Sequence, residues 1–172
     1  MPNNEALIRN TPHQHSVPEP VFSPPASESM NLAFLPASHQ DIDLLFHLNK
    51  DLIDTYEDLT IIDYPKVLHW VRRNLEANLP HFICVLCDGE PAAYYCLTDS
   101  DGKQELDSLF VLPEFQNRGI GTAILQKCQQ ESPSLFLYVF KRNYRAISLY
   151  QRLGFRITQE VGQTRCIMEY TP

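Results

Sequence analysis

The sequence has no basic surplus: 14 Lys and Arg face 21 Asp and Glu, a net charge of −7 over 172 residues. Holding nucleic acid requires a basic face that neutralises phosphates, so this balance argues against a nucleic-acid binder. No apolar run approaches the roughly 18 residues of a membrane-spanning helix. The N-terminus lacks a basic-then-apolar leader pattern, so a cytoplasmic chain with no membrane partner is expected. The cysteines number five, odd and scattered, which argues against a disulfide framework. Cys84 and Cys87 form a CxxC, but no second ligand pair with zinc-like spacing follows it. "HFICVLC" reads instead as a buried strand, in which residues three apart point to opposite faces. The six histidines form no ligand constellation, so no metal is expected.

Apolar residues make up 44% of the chain, enough for one domain with a core of its own. Charge is unevenly placed. Residues 1–99 carry 14 acids and 5 bases, and residues 100–172 carry 7 acids and 9 bases. That asymmetry suits an anionic ligand on the second half and a cationic one on the first, although an ordinary solvated surface explains it equally well.

Six of the thirteen prolines fall in residues 1–29, which show no apolar periodicity and read as a disordered or loosely held arm. From Met30 onward the pattern is regular, and residues 30–172 read as one domain. Asn31–Leu35 is a short strand, and Ser38 caps a helix running to about Leu52. Pro65 opens a second helix with Val67, Leu68, Val71 and Leu75 as its stripe. Strands follow at Phe82–Cys87, Pro91–Thr98 and Gln104–Val111, joined by "DGE" and "DSDG" turns. A helix from Ile120, a strand Ser134–Phe140, a helix Tyr144–Leu153 and strands Phe155–Val161 and Thr164–Tyr170 complete the chain. The order β-α-α-β-β-β-α-β-α-β-β describes an α/β protein, a single mixed sheet flanked by about four helices.

"LFVLPEFQNRGIGTAILQ", residues 109–126, raises a specific question. Gly119 and Gly121 stand at the start of a helix, where each costs about 1 kcal/mol relative to Ala. Free N–H groups and the helix dipole make such a start a site for an anion, and glycine lets a ligand approach bare backbone. A tight turn packed against a neighbour would also explain the glycines. A Walker loop fails because Thr122 and Ala123 follow Gly121, and a GxGxxG fingerprint fails because position 124 is Ile.

Gln116-Asn117-Arg118-Gly119-Ile120-Gly121 matches Q/R-x-x-G-x-G/A, and "NYRAISLYQRLGF" from Asn143 to Phe155 matches Asn-x-x-Ala-x-x-x-Tyr-x-x-x-Gly-Phe. With both motifs in this order, the chain resembles the GNAT superfamily of N-acetyltransferases, specifically over about residues 104–156. The resemblance implies a GNAT-like fold, acetyl-CoA as co-substrate, and direct acetyl transfer to a primary amine. The acceptor would be a small cationic amine or a protein or peptide amine, and the chain a monomer or homodimer. Backbone groups of Gln116, Asn117, Arg118, Gly119, Ile120, Gly121 and Thr122 would hold the pyrophosphate. Leu109 and Val111 would pair with the pantetheine like an added strand, and Asn143 would fix that arm. Tyr150 falls on the family's proton-donor position, although core packing also suits its spacing. Arg118, Lys141, Arg142 and Arg145 are candidates for the nucleotide phosphates.

The attacking amine must lose a proton, a task for a positioned base. Glu105 and Asp107 are the candidates, two apart and so on one face of a strand, and a water relay could replace either. A backbone N–H near Val111 would stabilise the developing oxyanion. Between residues 40 and 63, seven acids face one base, Lys50, and the resemblance puts that region beside the acceptor groove. A different class, a non-catalytic acyl-CoA-binding module, fits the cofactor motifs too.

Overall fold

A computed structural model of the chain describes residues 30–132 and 134–172; the expectation for residues 1–29 lies outside them. One seven-stranded sheet runs through the molecule in the order β1-β2-β3-β4-β5-β7-β6. Its strands are β1 (Leu32–Pro36), β2 (Phe82–Cys87), β3 (Glu90–Ser100), β4 (Lys103–Val111), β5 (Leu135–Phe140), β6 (Arg156–Val161) and β7 (Arg165–Tyr170). The helices are α1 (Ile42–Tyr56), α2 (Tyr64–Asn78), α3 (Ile120–Glu131) and α4 (Tyr144–Arg152). The expected order and mixed sheet are observed, with small differences at the ends.

The largest such difference is at α1. Ser38 caps a short 3-10 turn, His39–Asp41, and the α-helix begins only at Ile42 and runs on to Tyr56. The Asp41 carboxylate accepts from the Ser38 N–H at 2.7 Å and from the buried Tyr94 hydroxyl at 2.8 Å, which fixes that tighter turn. At α2, Asp63 is the cap and accepts from the Lys66 N–H at 3.3 Å, with Pro65 in the first turn.

Two apolar clusters lie on the two faces of the sheet. On one face, Ile120, Ile124, Leu125 and Cys128 of α3 pack with Leu135, Leu137 and Val139 of β5 and Met168 of β7. On the other, Leu45 and Ile53 of α1 and Val71 and Leu75 of α2 meet Phe82, Tyr94 and Phe110. Each such side chain contributes about 1.5–3 kcal/mol by leaving water. Cys84 and Cys87 enter different clusters, on opposite faces as the strand period requires.

Two irregularities shape the functional region. β5 runs parallel to β4 but pairs with it only at Gln104–Leu135 and Glu105–Phe136, after which the strands diverge. On its other side β4 pairs with β3 antiparallel, and the register shifts between Cys96–Ser108 and Leu97–Leu106. Asp107 is the unpaired extra residue, a β-bulge that reverses the alternation of the strand.

Candidate active site

The divergence of β4 from β5 opens a cleft through the middle of the sheet. Two cavities occupy it, one of about 530 Å³ toward α1 and α2 and one of about 720 Å³ toward α3 and α4. Leu52, Leu109, Asn143, Ala146 and Tyr150 line both, so the cavities meet at these side chains.

The second cavity is built on the glycine loop. Leu112 N–H donates to Ala92 O at 2.9 Å, so alternation turns the N–H and C=O groups of Val111 and Leu109 away from β3 and into the cleft. The chain leaves β4 through a 3-10 turn, Pro113–Phe115. Asn117 then takes φ 62° and Gly119 φ 84°, a conformation that glycine adopts without a Cβ penalty. Gly119 precedes α3 as its cap rather than lying within its first turn, and the space where its Cβ would stand is open. Gly121 answers to packing: a Cβ there would meet Leu149 Cδ2 at 3.3 Å. The packing explanation therefore holds at Gly121, while Gly119 meets a backbone requirement, a positive φ, and leaves open space beside the loop. Among the described residues, the N–H groups of 117–122 meet no backbone acceptor, while Ala123 N–H already bonds back to Gly119 O at 3.0 Å. Such a row of free donors at a helix start suits a pyrophosphate.

Gln116 and Arg145 hold that loop in place. The Gln116 side-chain amide donates to Val111 O at 3.0 Å and accepts from Arg145 at 2.9 Å. Arg145 also donates to Asn117 Oδ1 at 2.9 Å. Arg145, considered for a phosphate from sequence, thus spends two donors on protein acceptors. Of the other basic candidates, Lys141 pairs with Glu160 at 2.8 Å, Arg118 stacks over Phe115, and Arg142 is exposed.

Asn143 is the cap of α4, its Oδ1 accepting from Ala146 N–H at 3.2 Å, and it lines both cavities with its amide N–H groups unpartnered among the described residues. Tyr150 has a packed ring and an accessible hydroxyl. Its ring packs against Phe155 at 5.7 Å between centroids, inside the core. Its hydroxyl has no hydrogen-bond partner among the described residues, yet no fully buried side-chain oxygen there lacks one, so the hydroxyl opens to the cleft. Burial pushes its pKa up to about 12, which keeps the proton on it at neutral pH.

Glu105 and Asp107 line the first cavity together, as their spacing predicts. Burial, and then the neighbouring Asp107 charge, raise the pKa of Glu105. Asp107 is raised by burial, against an opposing hydrogen bond from Ser108. Asp107 is nonetheless exposed, so water reaches its carboxylate in the groove.

The seven acids between residues 40 and 63 do not line this cavity, contrary to the expectation from charge. Several serve the local fold: Asp43 pairs with Arg72, Asp54 with Lys50 and Tyr64, Asp58 with Thr60, and Asp63 caps α2. The lining instead includes Trp70, Asn49 and Asn74 from the two helices and Tyr138 from β5, none of them singled out from sequence. Trp70 carried a signal, since a tryptophan outside the Val67, Leu68, Val71, Leu75 stripe sits on a face that should be polar.

A sequence model of the Acetyltransferase (GNAT) family matches residues 45–155, and the chain belongs to that family. It is therefore an acyltransferase, and an acyl-CoA is its class of co-substrate. The peptidyl-lysine N-acetyltransferase YjaB of Salmonella typhimurium is 23% identical over 120 residues, covering 70% of this chain and 80% of that one. The peptidyl-lysine N-acetyltransferase YiaC of Escherichia coli is 46% identical over 52 residues, 30% of this chain and 36% of that one. In fold, the chain is similar to the PaiA N-acetyltransferase of Thermoplasma acidophilum in complex with coenzyme A, at TM-score 0.64 and 19% identity, over 83% of this chain and all of that one.

Proposed function

We propose that the protein transfers an acetyl group from acetyl-CoA directly to a primary amine, with the lysine side chain of a protein or peptide as acceptor. The single observation that carries this reading is the meeting of two cavities at Tyr150, one floored by free backbone donors and the other holding two carboxylates. The relatives named as peptidyl-lysine N-acetyltransferases support lysine over a small amine.

In this reading the loop from Gln116 to Thr122 binds the pyrophosphate, and Leu109 and Val111 align the pantetheine along β4. Asn143 holds the same arm from α4. Glu105 or Asp107, directly or through one water, takes a proton from the incoming ammonium. The raised carboxylate pKa values bring either group nearer to the operating pH. The amine nitrogen then bonds to the acetyl carbon, the carbon–sulfur bond breaks, and Tyr150 gives its proton to the leaving thiolate; the proton shed by the acylated nitrogen restores the Tyr150 hydroxyl through water. The Val111 N–H supports the oxyanion formed on the way. Direct transfer suits the site because all five cysteines are buried.

The test is thiol release from acetyl-CoA with mass analysis of a blocked lysine peptide. Lysine-dependent release with a product heavier by one acetyl group supports the reading. Acetyl-CoA binding without release, over a panel of peptides and small amines, would favour a non-catalytic acyl-CoA-binding module.

A further inference from the structure

We infer that Trp70 and Tyr138 form the walls of an acceptor channel that selects a terminal amine on a long, unbranched apolar stem. The inference rests on the acetyltransferase reading above and concerns which amines the site accepts.

Trp70 is 61% exposed and Tyr138 46% exposed, although each is large and aromatic. Both line the cavity that contains Glu105 and Asp107. Trp70 comes from α2, and Tyr138 from the first part of the sheet beyond the divergence of β4 and β5. Helices α1 and α2 cover β2, β3 and β4, and on β5 their cluster reaches only Phe140. Tyr138, which pairs across the strands with Ile167, therefore stands on uncovered sheet beside the cavity. Apolar side walls leading to carboxylates match a ligand with methylenes along its length and a cation at its end. A tryptophan face also attracts a cation passing over it.

The rest of the lining offers no carboxylate for a second cation. Its remaining charged side chain is Arg165, which stacks on Phe140 at 4.5 Å and pairs with Glu57 at 3.4 Å. A polyamine would bring a second ammonium into a lining whose one further charge is this guanidinium. A lysine brings a neutral backbone instead, and Asn49 and Asn74 offer amide groups that suit it. Asn49 has Nδ2 bonded to Leu45 O, and Asn74 has Oδ1 bonded to Asn78, so each keeps a side-chain group without a partner among the described residues. A peptide α-amine is a poor fit, because a branched carbon adjoins its nitrogen and leaves no stem to fill the channel.

The experiment uses ethylamine, propylamine, butylamine and pentylamine, single amines that differ in stem length, with the full chain and saturating acetyl-CoA. With the wild type, kcat/KM should climb about fourfold per methylene, the transfer free energy of one CH2. In Trp70→Ala and in Tyr138→Ala that climb should flatten, through KM, with acetyl-CoA affinity and melting temperature unchanged. Trp70→Phe should restore most of the climb. The exposure of both residues means that neither truncation opens the core. A blocked lysine peptide should be acetylated in preference to spermidine and to a lysine-free peptide with an open N-terminus. Equal losses for ethylamine and pentylamine in the variants would overturn the inference, as would preference for spermidine or the open N-terminus. If the wild type turns over no amine at all, the acetyltransferase reading fails first.

Discussion

Leu106 and Phe110 lie four residues apart on β4 and are buried on opposite faces of the sheet, Leu106 with α3 and Phe110 with α1 and α2. An uninterrupted strand puts such a pair on one face. The bulge at Asp107 makes the difference. Glu105 and Asp107, two apart, both reach the groove below α2, while Leu109, beyond the bulge, packs on the α3 side. One inserted residue lets a single strand serve both cavities.

Binding of acetyl-CoA should raise the melting temperature, because the loop amides of residues 117–122 have no backbone acceptor of their own. At a hundred times the dissociation constant the gain is about 2.7 kcal/mol. Gly119→Glu places bulk and negative charge in the open space at φ 84° and should abolish the shift. Thermal denaturation with and without ligand reads both outcomes, and an unchanged shift in the variant would remove the loop from the site.

Tyr150→Phe keeps the ring against Phe155 and removes the hydroxyl that opens to the cleft. Turnover should fall by about 10²–10³ with little change in acetyl-CoA affinity. Tyr150→Ala should in addition lower the melting temperature, since a core aromatic is lost. Full turnover by the Phe variant on a good acceptor would leave Tyr150 as packing alone.

Arg145 offers a contrast between bracing and binding. Loss of its bonds to Gln116 and Asn117 should weaken acetyl-CoA binding by about tenfold, from about 0.5–1.5 kcal/mol per bond. Arg145→Lys keeps the charge without the fork and should not rescue it. Coenzyme A and its 3′-dephospho form should be weakened equally; selective loss for the phosphorylated form would show direct phosphate contact instead.

The carboxylates of the groove should cost stability. Asp107 and Glu105 have raised pKa values in the folded protein, so the folded state binds their protons more tightly than the unfolded chain. Their contribution is then present at low pH and lost as pH rises through the raised values. Asp107→Asn should therefore raise the melting temperature at pH 7 and above, with the gain vanishing under acidic conditions. Denaturation curves over pH would show this; a gain that grew on acidification would contradict the assigned direction.

Much of the candidate site was legible because its geometry is local. The two glycines, Asn143 and Tyr150 stand in short segments whose spacing carries their geometry. Asp107 was legible as a carboxylate but not as a bulge, since no glycine marks the position. The adjacent apolar pair Leu109 and Phe110, which breaks the strand alternation, was the available hint. The Arg145 brace spans 28 and 29 residues, a distance at which an exposed arginine gives no sign of its partner. Counting acids over residues 40–63 misled for the opposite reason: local caps and ion pairs on α1 and α2 had already engaged several of them.

Two residue pairs are all that join β4 to β5, so the backbone ladder of this sheet is nearly cut in half. On the α3 side the cluster is continuous across the cut; on the α1 and α2 side it touches β5 only at Phe140. Opening fluctuations should follow that asymmetry, with β5, β6 and β7 swinging on α3 as a separate cooperative block. Amide hydrogen exchange would then find two protection plateaus in the free protein. A ligand bonded along both lips of the cleft would merge them into one.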